Sequence, residues 1–112
     1  MNNYIQVFTT VPKKSYAEKI AKVLIEKKLA ACVQISGPIK SIYRWKGRVE
    51  TAKELVCIIK TRVNLYKKVE DIVREIHPYE VPEIIAIPIT HGSKEYLKWI
   101  SMETLVKKGV KV

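Results

Sequence analysis

The stretch ACVQISGPIKSIYRWKG, from Ala31 to Gly47, decides the fold that the sequence predicts. Its first part, Ala31–Ile35, is largely apolar and begins a strand, which Ile39–Trp45 resumes after an interruption at Gly37-Pro38. Glycine and proline inside a strand usually mark a bulge or a bend. We therefore expect one long strand with an irregularity in its middle.

The segments on either side of this stretch supply the other strands. Lys46-Gly47 provides a turn, and Glu54–Thr61 follows as the third strand, which forms a hairpin with the second. Upstream, Tyr4–Val11 alternates β-branched and aromatic residues and predicts the first strand. Glu83–Ile89 predicts the fourth strand, in which Pro88 indicates a sheet edge or a bulge.

Two amphipathic helices separate these strands. Ser15 stands three residues before Glu18, which predicts a capping box at the start of the first helix, and Asn64 is the predicted cap of the second. Pro78 disfavours helical geometry in the residue before it, so the second helix should end near His77. The apolar stripes are Ala17, Ile20, Ala21 and Leu24 in the first helix, and Leu65, Val69, Ile72, Val73 and Ile76 in the second.

A third helix is predicted over Ser93–Leu105 and completes the order β-α-β-β-α-β-α. This order is typical of an α+β ferredoxin-like sandwich, an antiparallel four-stranded sheet with two helices on one face. The 112 residues are expected to form a single domain, residues 1–112. The other sheet face and the edge strands favour an oligomer. Four aromatic residues either pack the last helix against the sheet or lie at a subunit interface: Tyr43, Trp45, Tyr96 and Trp99.

Composition limits the classes of function. An apolar fraction of 47% excludes a disordered chain, and no apolar run approaches the roughly 18–20 residues that span a bilayer. The N-terminal MNNYIQVF is interpreted as the start of a strand and not as a signal peptide, so we expect a cytoplasmic protein with no membrane partner. Cys32 and Cys57 are accordingly expected to be reduced thiols.

The net charge of +10 leaves two interpretations open. A basic surface attracts polyanions, while a surface rich in lysine and glutamate is typical of proteins that work at high temperature. RNA recognition motifs share the predicted strand and helix order, but they carry aromatic residues on the third strand, and ELVCIIKT (Glu54–Thr61) has none. We therefore expect no nucleic-acid partner.

The segment HPYEVPEI, from His77 to Ile84, is the strongest candidate for a metal site. His77, Glu80 and Glu83 recur every third residue, and the two prolines favour an extended course with three residues per turn. At about 3.1 Å per residue, neighbours in this row are roughly 9 Å apart. A site for Cu²⁺ or another divalent cation would therefore need a ligand from elsewhere. The alternative is a stiff connection between a helix and a strand.

Catalytic motifs are missing from the sequence. The serines lie in no nucleophile-elbow pattern, and none of the four glycines belongs to a phosphate-binding loop. Cys32 and Cys57 lack the CxxC spacing of zinc sites, and a buried free cysteine usually behaves as a small apolar residue. Glu80 and Glu83 form a candidate acid/base pair without a substrate-orienting partner. We expect the protein not to be an enzyme.

Five motifs in order resemble the CutA family of divalent-ion tolerance proteins, and the resemblance extends over essentially the whole chain. The motifs are ACVQI, SIYRWKG, IKT, HPYEVPEI and YLKWI. The resemblance implies a ferredoxin-like protomer in a tight homotrimer and a role in tolerance of copper and other divalent ions. Because such trimers resemble PII signalling proteins, it also implies a metal ion or small ligand bound in clefts between subunits. A PII-like signalling trimer or a scaffold that recruits a protein partner is the alternative.

The resemblance also nominates residues for that cleft. Trp45, Lys60, Tyr79 and Glu83 match the family pattern, with Lys60 suited to an anionic group and the last two to hydrogen bonds. Some bacterial members have a cysteine and a histidine of a proposed copper site where Thr9 and Ile76 stand in this chain. Of that copper set only His77 remains in this chain, and Glu80 is the second candidate metal ligand because of its spacing from His77.

Overall fold

An antiparallel sheet of four strands carries three α-helices in the computed structural model, which describes residues 3–105. The order of the elements confirms the predicted β-α-β-β-α-β arrangement followed by a last helix, and the class is α+β. The strands are β1 (Tyr4–Val11), β2 (Cys32–Trp45), β3 (Arg48–Arg62) and β4 (Ile85–Pro88), and the helices are α1 (Lys14–Glu26), α2 (Tyr66–Ile76) and α3 (Lys94–Met102).

The sheet has the order β2-β3-β1-β4, and every neighbouring pair of strands is antiparallel. The two halves of the chain therefore interleave their strands, with β1 and β3 in the centre, as the ferredoxin-like arrangement requires. β4 is an edge strand, which confirms the edge position predicted from Pro88, because proline cannot donate a hydrogen bond to a neighbouring strand.

The core lies between the sheet and the two helices α1 and α2. Alternate residues of the central strands point to this side and are fully buried, among them Val7, Val11 and Ile59. They pack against the predicted helix stripes, represented by Ala17, Ile20 and Leu24 in α1 and by Val69 and Val73 in α2. Each large side chain in this layer contributes roughly 1.5–3 kcal/mol through its removal from water.

One extra residue in β2 shifts the register of the hairpin at the predicted interruption, which confirms the bulge. Ser36 pairs with Val56 and Ile39 pairs with Glu54, so the two residues Gly37-Pro38 face a single residue of β3. Gly37 has φ +136°, a conformation that residues with a side chain rarely adopt. Because side chains alternate between the two faces of a strand, the bulge moves every later side chain of β2 to the opposite face.

The predicted capping box of the first helix is wrong. α1 begins at Lys14, and its N-cap is Lys13, whose side chain makes no capping hydrogen bond. The chain bends directly after β1 and enters the helix at once, so Ser15 already lies in the first helical turn. A serine in that position cannot act as the N-cap, and Glu18 instead forms an exposed ion pair with Lys14 at 3.7 Å.

The predicted cap of the second helix is also wrong, while its predicted end is confirmed. A 3₁₀ turn over Val63–Leu65 precedes α2, so Asn64 lies inside this turn and Leu65 is the N-cap. α2 ends at Ile76, and His77 follows it in an extended conformation. This is the boundary that a proline in the next position imposes.

Three other predicted boundaries need correction. β3 begins at Arg48 and not at Glu54, because Lys46 and Gly47 (φ +51° and +79°) form a two-residue turn that pairs Arg48 with Trp45. β4 pairs with β1 only over Ile85–Pro88, so it is shorter than predicted at both ends. α3 ends at Met102 and not at Leu105, because the Leu105 N–H donates to the Lys28 carbonyl at 2.7 Å instead of continuing the helix.

α3 covers one end of the sheet face opposite α1 and α2. The Tyr4 and Ser101 hydroxyls are 2.7 Å apart, and Arg62 donates to the Thr104 hydroxyl at 2.9 Å. The rings of Tyr96 and Trp99 contact each other with centroids 5.4 Å apart, and both are partly exposed. This aromatic pair therefore lies on the solvent-exposed side of α3. The helix leaves a large part of this sheet face uncovered.

The uncovered part of that face is mainly apolar, although Gln6 of β1 lies beside Ile87 and Gln34 of β2 lies beside Ile58. Ile85 and Ile87 of the edge strand are 51% and 47% exposed. A contiguous apolar surface on a sheet with an open edge is typical of a contact with another chain. We term it the open face; its apolar residues in β1, β3 and β4 are Phe8, Val56, Ile58, Ile85 and Ile87.

The bulge should be sensitive to a side chain at Gly37. We expect Gly37→Ala to lower the free energy of unfolding by about 1–3 kcal/mol, because the residue has a positive φ. Its Cβ would also meet Leu55 Cδ2 at 2.9 Å and the Glu54 carbonyl oxygen at 3.1 Å. Unfolding in urea at a fixed protein concentration measures the loss.

Gly47→Ala is the matched control, since a Cβ there meets nothing within 4 Å. It should cost about 1 kcal/mol from the backbone conformation alone. Equal losses for the two variants would contradict a steric requirement at the bulge.

Candidate functional site

A cleft of about 640 Å³ lies between the β2–β3 hairpin and the segment that joins α2 to β4. We term this segment, His77–Ile84, the crossover. The volume falls within the range of small-molecule sites, roughly 300–1,000 Å³. The polar and aromatic side chains that line the cleft include Thr10, Tyr43, Trp45, Glu54, Tyr79, Glu80 and Glu83.

The bulge in β2 brings the aromatic rings of the hairpin into this cleft. Ile39 pairs with Glu54, and from there the alternation places Tyr43 and Trp45 on the same sheet face as Glu54. Without the extra residue the two rings would point to the side of α1 and α2. Both side chains are partly exposed, at 41% and 37%, so their rings are accessible from solvent.

Glu54 and Tyr79 form a partly buried hydrogen bond inside the cleft. Glu54 is 5% exposed, and the Tyr79 hydroxyl donates to its Oε2 at 2.9 Å. Burial raises the pKa of Tyr79 to about 12, and the hydrogen bond to Glu54 and the charge of that carboxylate act in the same direction. The phenol therefore remains a donor at neutral pH. Among the ion pairs within residues 3–105, none involves Glu54.

His77 holds the crossover against the end of β1. The residue is 8% exposed; its Nε2 lies 2.7 Å from the Thr10 carbonyl oxygen, and its Nδ1 accepts from the Tyr79 backbone N–H at 3.2 Å. A carbonyl oxygen can only accept, so Nε2 carries the proton in this arrangement. Both ring nitrogens are thus bonded within the protein, and a metal ion at His77 would have to replace one of these bonds.

The rim of the cleft contains a lysine beside a ring and a carboxylate. Lys46 Nζ lies 3.8 Å from Glu80 Oε1 and 5.6 Å from the centroid of the Trp45 ring. All three groups are exposed, so each contact contributes about 1 kcal/mol or less. Glu83 is also exposed and has no ion-pair partner in the described part of the chain.

Lys60 lies apart from the other predicted cleft residues. Trp45, Tyr79 and Glu83 all line the cleft, whereas Lys60 is absent from its lining. Lys60 and Glu54 point to the same face of β3 but lie roughly 20 Å apart, at about 3.3 Å per residue. The Lys60 Nζ instead lies 5.5 Å from the centroid of the Tyr96 ring in α3. One protomer therefore brings together three of the four predicted residues.

Metal ligands do not converge in the part of the protomer that the structure describes. Between residues 3 and 105, no group of three or more His, Cys, Asp or Glu side chains is placed to hold an ion. Thr9 is fully buried opposite Cys57 on the α1/α2 side of the sheet, so this position does not open on the cleft. Ile76 packs against the core from the end of α2.

The two cysteines lie on opposite faces of the sheet. Burial raises the pKa of the Cys57 thiol to about 11, which disfavours the thiolate that a metal requires. Cys32 is half-buried and pairs with Lys60 on the face opposite the core. Both are free thiols in the structure.

Sequence reasoning did not identify Glu54 or Tyr43 as cleft residues. Glu54 stands at the start of the apolar run of β3, where a charged residue is interpreted as the end of a strand. Its direction follows only from the register, and the register depends on the bulge. Counting alternate residues of β2 from the bulge at Gly37-Pro38 to the hairpin turn would have placed Tyr43 on the same sheet face as Glu54.

Comparison with known proteins gives a family for these features. Residues 5–103 match the family described as CutA1 divalent ion tolerance protein. The chain is 50% identical over 100 residues to the divalent-cation tolerance protein CutA of Archaeoglobus fulgidus, covering 89% of this chain and 95% of that relative. It is 44% identical over 97 residues to the human protein CutA, which covers 87% of this chain but only 54% of the human protein.

Solved structures agree with this match. The crystal structure of CutA1 from Oryza sativa superimposes with a TM-score of 0.90 at 42% identity, covering 95% of this chain and 97% of the other. The order of strands and helices, the hairpin and the crossover thus occur in a protein with a related sequence. From the match over most of its length and the identity to these relatives, the chain belongs to the CutA1 divalent ion tolerance protein family.

Proposed function

We propose that this chain acts in divalent-cation tolerance as a homotrimer that binds its ligand in clefts between subunits, without catalysing a reaction. The observation that carries the proposal is that Glu54, Glu80 and Glu83 line one cleft in a chain with a net charge of +10. Carboxylates that are concentrated against the overall charge attract a cation and repel an anion.

A divalent cation such as Cu²⁺ is the first candidate for the ligand. Such ions need several ligands at about 2.0–2.6 Å, and the described residues of one protomer do not place three together. In the proposed site, Glu80 and Glu83 supply exposed carboxylates at the rim, and a second subunit supplies the remaining ligands. His77 contributes only if the crossover releases its Nδ1 from the Tyr79 N–H.

The open face supports the trimer. In the sheet, Ile85 pairs with Phe8 and Ile87 pairs with Gln6. About half of each isoleucine remains exposed to water. Burial of an apolar side chain is favourable by roughly 1.5–3 kcal/mol. Contact between the open faces of three copies would therefore stabilise the trimer. The same contact would place cleft residues of one copy near a neighbouring copy. In that arrangement Lys60 would bind an anionic group of the ligand.

A PII-like signalling trimer or a scaffold that recruits a protein is the second candidate. It is favoured by the hairpin beyond the bulge, residues 39–53, which we term the arm. Ile42 and Val49 of the arm are 67% and 66% exposed, and exposed apolar side chains of this size suit a protein contact. In this version the arm binds a partner, and the cleft regulates that binding.

The location in the cell stays a prediction. The described residues contain no helix that is long and apolar enough to cross a membrane. We propose the cytoplasm, although the related protein of Archaeoglobus fulgidus is described as periplasmic and one plant relative as chloroplastic. Fractionation of cells that express the full-length protein would separate these locations.

The trimer predicts a specific sensitivity of the open face. Light scattering should give a mass three times the 12.9 kDa of one chain. Ile87→Lys places a charge in the open face and should shift the protein to a monomer, because an ammonium group is costly to bury without a partner. Ile25→Lys is the matched control, since Ile25 is 42% exposed on α1, on the other side of the sheet.

A monomeric wild-type protein would rule out the homotrimer and every site between subunits. A trimer that survives Ile87→Lys but is lost in Ile25→Lys would place the contact on the helices.

The metal version predicts a dependence on the rim carboxylates. Calorimetric titration of the wild-type trimer with CuCl₂ or ZnCl₂ should give saturable heat, and Glu83→Gln should weaken binding by about tenfold or more. Glu75→Gln, an exposed change on α2 outside the cleft, should leave the affinity unaltered. His77→Gln should lower stability more than affinity, because it removes the acceptor for the Tyr79 N–H.

The absence of saturable heat for both ions would exclude the metal version. Loss of binding in a well-folded His77→Gln variant would instead identify His77 as a ligand.

A further inference from the structure

Aromatic rings line the cleft together with its carboxylates, so the cleft offers contacts that a bare metal ion does not use. Tyr43, Trp45 and Tyr79 line the same space as Glu54 and Glu83. Aromatic faces attract weakly hydrated organic cations, whereas divalent metal ions require a close shell of oxygen or nitrogen ligands. The shape and chemistry of the cleft therefore suit a cation with an apolar part.

The chain already places one of its own ammonium groups at the rim of this cleft. Lys46 Nζ lies close to both the Trp45 ring and the Glu80 carboxylate, at 5.6 Å from the ring centroid and 3.8 Å from Oε1. Lys46 lies in the hairpin turn and is largely exposed, so its ammonium group can leave these partners without disturbing the core. The rim of the cleft thus accommodates an ammonium group beside an aromatic ring and a carboxylate.

Glu54 defines the kind of ammonium group that fits deeper in the cleft. The residue as a whole is 5% exposed, and its carboxylate accepts one hydrogen bond from Tyr79 and has no ion-pair partner among the described residues. A buried carboxylate without a cation is costly, and a cationic donor removes much of that cost. A primary ammonium group has three N–H donors for such a partner, whereas a quaternary ammonium group has none.

We propose that the cleft binds a protonated aliphatic amine. Its primary ammonium group pairs with Glu54 and Glu83, and its apolar chain lies against Tyr43 and Trp45. Lys46 competes for the rim as an internal ammonium group. The inference rests on the proposed function, because it names the ligand class of the same cleft.

The probe for this proposal is 1,5-diaminopentane, titrated calorimetrically into the full-length protein. Its two ammonium groups and apolar chain match the carboxylates and rings of the cleft. The neutral 1,5-pentanediol has the same chain and is the matched control ligand. We expect saturable binding of the diamine and none of the diol at the same concentrations.

Two lysine variants test the competition at the rim. Lys46→Met removes the internal ammonium group and should tighten diamine binding about two- to fivefold, the value of an exposed cation–π or ion-pair contact. Lys40→Met is the matched control, because Lys40 is an exposed residue of β2 in the same hairpin and pairs with Lys53 outside the cleft lining. It should leave the affinity unchanged.

Two carboxylate variants test the ion pairs. Glu54→Gln and Glu83→Gln should each weaken diamine binding by about tenfold or more, since each removes a charge-assisted hydrogen bond. Glu83 is exposed, so its variant keeps the test valid if Glu54→Gln disturbs folding. Circular dichroism and light scattering confirm the fold and assembly of each variant.

The proposal is overturned if the diamine fails to bind both the wild-type protein and Lys46→Met, or if diol and diamine bind alike. It is also overturned if Lys40→Met tightens binding as much as Lys46→Met, which would indicate general surface charge. Absent diamine binding with metal binding that depends on Glu83 would reject the amine and leave the proposed function intact. Diamine binding without any metal binding would support the amine and exclude only the metal version.

Discussion

The one-residue register shift at Gly37-Pro38 is the constraint on which the rest of the molecule depends. Before the shift, Val33 and Ile35 of β2 point to the side of α1 and α2; after it, Tyr43 and Trp45 point to the other side. The same shift directs Lys40 and Arg44 away from the cleft. Without it, two basic side chains would take the place of two aromatic rings, and the cleft would lose its preference for a cation. A backbone conformation at Gly37 thus determines both the shape and the charge of the site.

The crossover completes the site through a different device. Its two prolines limit the backbone, and His77 ties it to the Thr10 carbonyl of β1 through one nitrogen and to the Tyr79 N–H through the other. Tyr79 is then directed at Glu54 of β3. The histidine that the motif offers as a metal ligand therefore has a structural task in the protomer, and the cleft residues Tyr79 and Glu54 depend on it for their geometry.

Strong periodicity made most of the fold predictable. The alternation of β1, the apolar stripes of both long helices, the end of α2 before Pro78 and the bulge in β2 all follow from local chemistry and are confirmed. The two predicted helix caps are wrong because each helical segment begins before the predicted cap. Ser15 already lies in the first turn of α1, and Asn64 lies inside the 3₁₀ turn before α2. The start of β3 failed because RVETAK (Arg48–Lys53) is polar, and its strand conformation comes from pairing across the turn and not from burial.

The site was less predictable, because its residues are combined by tertiary structure. The family resemblance names Trp45, Tyr79 and Glu83, and these three residues line one cleft. Lys60, the fourth, lies further along β3 beside Tyr96 of α3. Its distance from the cleft depends on the length of β3 and on the position of α3, which the motifs do not indicate. Glu54 went unnoticed because a lone glutamate at the start of an apolar run is usually solvated. Its burial depends on the crossover, which lies far away in the sequence and covers it from outside the sheet.

Departures from ordinary folding rules are concentrated around the arm and the cleft. Lys40 and Lys53 are paired directly across the hairpin, an arrangement of like charges that weakens a sheet. Lys46 has a positive φ, Ile42 and Val49 leave most of their surface in water, and Glu54 is buried without an ion-pair partner among residues 3–105. None of these features stabilises the protomer, whereas the layer beneath α1 and α2 is apolar and closely packed. Because locally unfavourable features persist where binding compensates for them, their concentration favours the arm and the cleft as the parts of this chain that act on other molecules.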